Sequence, residues 1–194
     1  VNEKRIRRLM RLMGLMPIYQ KPNRSRAAKG HKIYPYLLRG LRVDWPNQVW
    51  RADITYLPMR RGFLYLVVVM DWHTRKVLAW RTSNTLETGF CIDVLNEAIH
   101  KFGAPDIMTT DQGTQFTSFA WTDRLQRSNV RISMDGNGRC LDNIFVERLW
   151  RSLKYECVYL HAWETGAEAR AGVRKWIEFQ NHKRPHSSLC GKPP

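Results

Sequence analysis

Trp50-Arg51-Ala52-Asp53-Ile54-Thr55-Tyr56 is the stretch that decides the fold. Trp50, Ala52, Ile54 and Tyr56 fall on one side of an extended chain, and Arg51, Asp53 and Thr55 fall on the other. That is the period of a strand with one face on a core. Working outward, Gly62 marks a turn, Phe63 to Met70 is an apolar run of strand length, and Lys76 to Arg81 reads as a third strand. Three such runs with short turns predict an antiparallel meander. A helix is predicted next, with Asn84 and Glu87 as a capping box. Its core stripe is Cys91, Val94, Leu95, Ala98, Ile99 and Phe102, and Gly103 stops it.

The pattern then alternates. A short strand over 106–110 ends at Asp111, a helix runs from Phe116 to Arg127, and a short strand covers Val130–Ser133. The Gly-rich run Asp135-Gly-Asn-Gly-Arg139 leads into a helix from about Leu141 to Cys157. A last helix is capped by Thr165 and Glu168 and runs to about Asn181. The fold class is therefore α/β, a central mixed five-stranded sheet flanked by helices.

Charge divides the chain. Residues 1–48 hold 12 Lys/Arg against 2 acids, and residues 49–194 hold 20 against 15, within a total net charge of +15. We read 1–48 as a basic N-terminal helix (residues 3–14) and linker arm (17–48), and 49–194 as the globular core. A pI of about 10.2 points to a polyanionic partner, most simply nucleic acid. Hydrophobic residues at 43% supply a core, which argues against wholesale disorder. The run Phe63–Met70 is too short for a membrane span, so no membrane partner is expected. The four cysteines form no C-x-x-C pair and the basic start has no signal-peptide h-region, so a reduced, cytoplasmic setting is expected. His182, His186 and Cys190 recur every four residues, but Pro185 breaks the helix a zinc site of that spacing would need.

Three carboxylates carry the chemistry. Singly, each has an ordinary explanation: Asp53 as a solvated strand residue, Asp111 as a turn former before Gly113, Glu147 as a surface helix residue. Together they say more. On the 141–157 helix, Asn143, Glu147 and Lys154 form a polar line beside the stripe Val146, Leu149, Leu153 and Cys157, with Trp150 at its margin and Arg151 near it. If that helix packs across the Asp53 face of the meander, Asp53, Asp111 and Glu147 converge. Converging carboxylates hold hard divalent cations, and paired ions serve in-line displacement at phosphorus. Lys154 and Arg151 are suited to DNA phosphate.

With 35 residues between Asp111 and Glu147, the trio resembles the DDE signature of transposases and retroviral integrases. Asp106 and Asp142 share that spacing, so the contexts are the stronger signal. Trp50-x-x-Asp53-Ile-Thr-Tyr56, Thr110-Asp-Gln-Gly-Thr-Gln-Phe116, Cys140-Leu-Asp-Asn-Ile-Phe-Val-Glu147-Arg148, Lys154, and Asn181-x-x-Arg184-Pro-His-Ser-Ser-Leu189 resemble the OrfB-type insertion-sequence transposases. The resemblance implies an RNase H-like fold and metal-dependent strand cleavage and transfer. Asp53, Asp111 and Glu147 are then the catalytic metal ligands, with Mg2+ (Mn2+ substituting), two ions in all. Lys154, Arg151 and Asn143 contact DNA. The implied partners are element ends, target DNA and further copies of the chain at the bacterial nucleoid. Residues 1–14 resemble the tail of a helix-turn-helix region, and more chain is implied at both ends. The alternatives are a non-catalytic DNA-binding remnant and an RNase H-like nuclease.

Three positions depart from the family pattern: Arg51 for a small or polar residue, Gln180 for Tyr and Cys190 for Gly. Strand periodicity puts Arg51 on the Asp53 face, where a cation is expected to depress the Asp53 pKa or compete with a metal.

Overall fold

The computed structural model describes residues 2–14, 34–135 and 144–194. The arm over 15–33, the Gly-rich run from Gly136, Cys140 and the first turn of the 141–157 helix, Asn143 included, lie outside the described residues.

The first helix, α1 (Glu3–Leu12), is capped by Asn2, whose side chain accepts from the Lys4 amide. Residues 34–48 have no helix or strand beyond turns, yet they pack onto the core. Leu38 is buried with Val49 and Ile107, and the Leu37 amide donates to Ser133 Oγ at 3.0 Å.

The meander forms as expected. Strands β1 (Val49–Pro58), β2 (Phe63–Asp71) and β3 (Val77–Ser83) pair antiparallel. Two parallel strands, β4 (Ile107–Thr110) and β5 (Arg131–Met134), extend the other edge of β1, giving the order β3-β2-β1-β4-β5. Helices α2 (Thr88–Phe102) and α3 (Phe119–Arg127) cover one face, with Trp50, Ala52, Val67, Val69, Val94, Leu95 and Trp121 in one apolar cluster. Helices α4 (Ile144–Glu156) and α5 (Gly166–His182) contribute to the second cluster, where Leu57, Leu66, Val68 and Met70 meet Val146, Leu149, Leu153, Val173 and Ile177. With apolar side chains on both faces, β2 reads as a continuous hydrophobic run rather than an alternation.

Two helix starts differ from the sequence reading. Helix α2 begins at Thr88 behind Glu87, with no side-chain cap, so Asn84 caps nothing. The pairing of β3 runs on to Ser83 opposite Tyr65, and the Ser83 hydroxyl then accepts from the Thr85 amide, which uses up the residues the box needed. Helix α3 begins at Phe119 rather than Phe116, because Gly113 O accepts both the Phe116 and Thr117 amides in a turn and Ser118 then caps the helix. At α5 the cap forms, with Thr165 Oγ1 accepting from the Glu168 amide, while the Glu168 carboxylate accepts from the Glu164 amide, one residue before the cap.

Gly172 lies inside α5 against the Trp163 ring, and a Cβ there would meet Trp163 Cζ2 at 2.4 Å. Alanine gains about 1 kcal/mol of helix propensity. It also overpacks a buried indole, which costs about 1–3 kcal/mol. Gly172→Ala is therefore expected to lower stability, read as a lower urea midpoint at unchanged m.

Candidate active site

Strand register brings the first two carboxylates together. Strands β1 and β4 run parallel with Trp50 opposite Met108 and Arg51 opposite Thr109. Carried two residues further, the same register sets Asp53 beside Asp111, just past the carboxyl end of β4. Crevices at the carboxyl ends of strands, where the strand order reverses, are where open α/β sheets bind ligands. Asp53 and Asp111 line one small cavity of about 100 Å³, with Tyr56, Leu86, Gly113 and Gln115 among its walls.

The Asp111 side chain is fixed locally. Its Oδ1 accepts from the Gly113 amide at 2.9 Å. A Cβ at position 113 would lie 2.9 Å from that same oxygen, so glycine leaves the carboxylate its place.

The Asp53 side chain lies on the face covered by α4. Its Oδ2 accepts from Trp150 Nε1 at 2.8 Å. Burial pushes the Asp53 carboxyl up to about 6, and the nearby Asp111 charge pushes the same way. The Trp150 bond, Arg51 and the Ile54 amide pull it down without prevailing. Arg51 depresses the Asp53 pKa as expected, but desolvation of the carboxylate outweighs it and the net shift is upward. Arg51 is itself 1% exposed, and its Nη1 lies 2.6 Å from Asp135 Oδ2. That approach is outside hydrogen-bond geometry, and none of the three guanidinium nitrogens has a hydrogen-bond partner among the described residues.

Trp150 is the residue that sequence reasoning left at the margin. A buried indole N–H seeks an acceptor. Its position three residues after Glu147 was the available signal, since i and i+3 share a helix face. By the same spacing, Glu147 stands one turn before Trp150 on α4 and Lys154 one turn after it. Glu147 is exposed and Lys154 half-buried. Glu147 does not line the Asp53–Asp111 cavity. Among the described residues no three His, Cys, Asp or Glu side chains are gathered as a metal site. The structure thus pairs Asp53 with Asp111 and leaves Glu147 exposed on α4, outside their cavity. Arg151 points elsewhere, into a separate arginine-lined cleft on the flank of α4.

Comparison with known proteins accounts for most of the chain. The integrase core domain family matches residues 44–140, and a second integrase core domain family matches 128–194. The transposase for insertion sequence element IS904 of Lactococcus lactis is 35% identical over 202 residues, covering 100% of this chain and 79% of the relative. Transposase InsF for insertion sequence IS3A of Escherichia coli K12 is 37% identical over 148 residues, covering 75% of this chain and 51% of the relative. The chain therefore spans only about half the length of that relative. The HTLV-2 integrase catalytic core domain, solved in complex with magnesium, superposes with a TM-score of 0.57 at 19% identity, over 76% of this chain and 93% of that one. At that identity the likeness bears on the fold, which is the RNase H-like sheet and helices of the integrase cores. Matched by family, by close relatives and by fold, the chain belongs to the insertion-sequence transposases, DDE-type polynucleotidyl transferases built on an integrase core.

Proposed function

We propose that this chain carries out metal-dependent cleavage at insertion-sequence ends and strand transfer into target DNA, with Asp53, Asp111 and Glu147 as its catalytic carboxylates. The observation that carries the reading is the Asp53–Asp111 pair on adjacent parallel strands. Two carboxylates facing one cavity, one of them held against ionisation by burial and by the other, are a donor set that suits a hard divalent cation. Asp53 and Asp111 would hold Mg2+, or Mn2+ in its place, and the exposed Glu147 on the α4 edge is the proposed third ligand. A pair of such ions supplies charge stabilisation at the attacking and leaving oxygens of the phosphodiester. The HTLV-2 core, a fold neighbour solved with magnesium, supports that choice of cation.

The protein's own residues then bind and orient. Trp150 holds the Asp53 carboxylate in place through Oδ2. Lys154 and Arg151 on α4, with Asn143 ahead of it, position the DNA end. The basic arm adds sequence-independent phosphate affinity. Ends and target are handled by an oligomer of the chain, at work in the cytoplasm on nucleoid DNA.

Strand transfer of a pre-cleaved element-end duplex into a plasmid tests this, with the ends flanking the source gene as donor. Metal-dependent joined product is expected from the wild type, and Glu147→Gln is expected to reduce it to background while DNA affinity is kept. Product formed equally by both proteins removes Glu147 from the reaction. Binding without product from either identifies a DNA-binding remnant, and a preference for nicking RNA–DNA hybrids identifies a ribonuclease.

A further inference from the structure

A second cleft, of about 360 Å³, opens on the far flank of α4. Its cationic lining comes from three distant parts of the chain: Arg75 in the β2–β3 turn, Arg148 and Arg151 on α4, and Arg184 and His186 after α5. Among the described residues no carboxylate lines it. The post-helix segment is delivered there by Asn181, which binds the first residue of β3 on both sides. Asn181 Oδ1 accepts from the Val77 amide at 3.0 Å, and its Nδ2 donates to Val77 O at 2.8 Å. The Asn181-x-x-Arg184-Pro185-His186 run thus has an anchoring residue followed by three that line the cleft.

Arg75 is held there against its preferences. Its backbone is left-handed, with φ 65°, a conformation a non-glycine side chain rarely adopts. Its guanidinium lies 3.2 Å above the Phe145 ring centroid. Nε and Nη1 are buried without a hydrogen-bond partner among the described residues. The neighbouring Asp71 carboxylate is already committed to the Asn47 and Thr74 amides and the Thr74 hydroxyl. Arg184 is paired with Glu156 through both its terminal nitrogens. Arg148 and Arg151 have no salt bridge among the described residues. Burial pushes Arg75 down to about 10 against the pull of the nearby Asp71 charge, with Arg148 adding to the downward push, and burial with Arg75, Arg184 and Arg148 holds His186 below its ordinary value. Arg184 has Glu156 and Arg75 has a nearby but committed Asp71, so Arg148, Arg151 and the leftover donors of Arg75 are the groups short of an anion.

We propose that the cleft between the β2–β3 turn, α4 and the post-α5 segment is a phosphate subsite that takes a backbone phosphate of the bound DNA, with Arg75 and Arg148 as its donors. The choice of DNA as occupant rests on the transposase reading above. It is favoured by position, since α4 carries Glu147 and Lys154 on one edge and Arg148 and Arg151 toward the cleft. A duplex engaged by α4 would therefore meet both. Planar guanidinium groups suit phosphate oxygens.

The test is the affinity of the full chain for a duplex DNA fragment, measured across a salt series without divalent metal. Arg75→Gln and Arg148→Gln are compared with wild type. Loss of one phosphate contact is expected to weaken binding roughly five- to tenfold and to lower the log–log salt slope by about 0.9. Thermal melting checks that each variant is folded. Arg148 is exposed, so its variant carries the test should Arg75→Gln fail to fold. Wild-type slope and affinity in the folded variants overturn the proposal. Inorganic phosphate that raises the melting temperature of wild type but not of the variants, with the DNA slope unchanged, assigns the cleft to free phosphate and also overturns it. The strand-transfer comparison with Glu147→Gln is read separately. A lost slope in a protein that joins no DNA keeps the subsite and rejects the transferase, and the reverse result rejects the subsite alone.

Discussion

Asp53→Asn is expected to abolish strand transfer and, in metal-free protein at neutral pH, to raise the melting temperature. Asp53 rises from its ordinary 3.8 to about 6 on folding, chiefly through burial and with the Asp111 charge adding. Between those two values the folded protein binds more protons than the unfolded chain, so stability falls as pH rises. Above about 6 the penalty is complete, and at 1.36 kcal/mol per unit it amounts to about 3 kcal/mol as an upper figure. Asparagine keeps an oxygen for the Trp150 N–H and removes the charge. The variant should match wild type near pH 4 and gain on it up to about pH 6 to 7. For a chain of this size the plateau is about 6–12 °C. A divalent cation should close the gap by stabilising only the wild type, since a ligand that binds the folded state alone raises its stability. Calorimetry in chelator, repeated with Mg2+, reads all of this. Equal melting curves at every pH would mean that the folded state does not disfavour the Asp53 charge. Function and stability are thus opposed at one residue, as they commonly are at strained active sites.

Asp135→Asn should be the most damaging single change to stability. Arg51 is 1% exposed inside the sheet, and the Asp135 carboxylate 2.6 Å away is its one salt bridge among the described residues. Removing that carboxylate leaves the buried guanidinium with only the Coulomb attraction of Asp53 to offset it, and breaking a buried pair costs about 3–5 kcal/mol. The converse change is milder. Arg51→Met fills the buried space with a flexible apolar chain and leaves Asp135, whose side chain is 10% exposed against 1% for Arg51, although its Oδ1 is buried. Urea unfolding of the two variants should therefore rank Asp135→Asn well below Arg51→Met. A loss under 1 kcal/mol for Asp135→Asn would show that Arg51 is compensated elsewhere. The pair matters to the site because Asp135 directly follows β5, its amide donating to Thr110 O immediately before Asp111.

The departures from the family pattern read differently in the structure. Cys190 adopts left-handed backbone at φ 53°, where the glycine common at that position would be unstrained. Gln180 is buried at the end of α5 and lines the arginine cleft, with Oε1 lacking a partner among the described residues. Arg51 is the departure closest to the carboxylates, and its ion pair with Asp135 gives a buried cation its counter-charge.

What the sequence determined by itself is what local periodicity and short-range register control. Alternation through Trp50–Tyr56 set the Asp53 face. The stripe Cys91, Val94, Leu95 and Ala98 set the buried face of α2. The contexts of Asp53, Asp111 and Glu147 singled out the carboxylates proposed as catalytic. Local signals failed where long-range pairing competed with them: Asn84 reads as a cap, but β3 pairs with β2 up to Ser83 and delays the helix to Thr88. Only the tertiary structure decided the state of the carboxylates and the course of the cations. The Asp53 proton affinity depends on burial under α4 and on a Trp150 bond spanning 97 residues. The partner of Arg51 comes from the end of β5. The arginine cleft is assembled from residues 75, 148 and 184. Desolvation and Coulomb interaction depend on distance in space, and no periodicity along the chain encodes which distant side chains the sheet will place together.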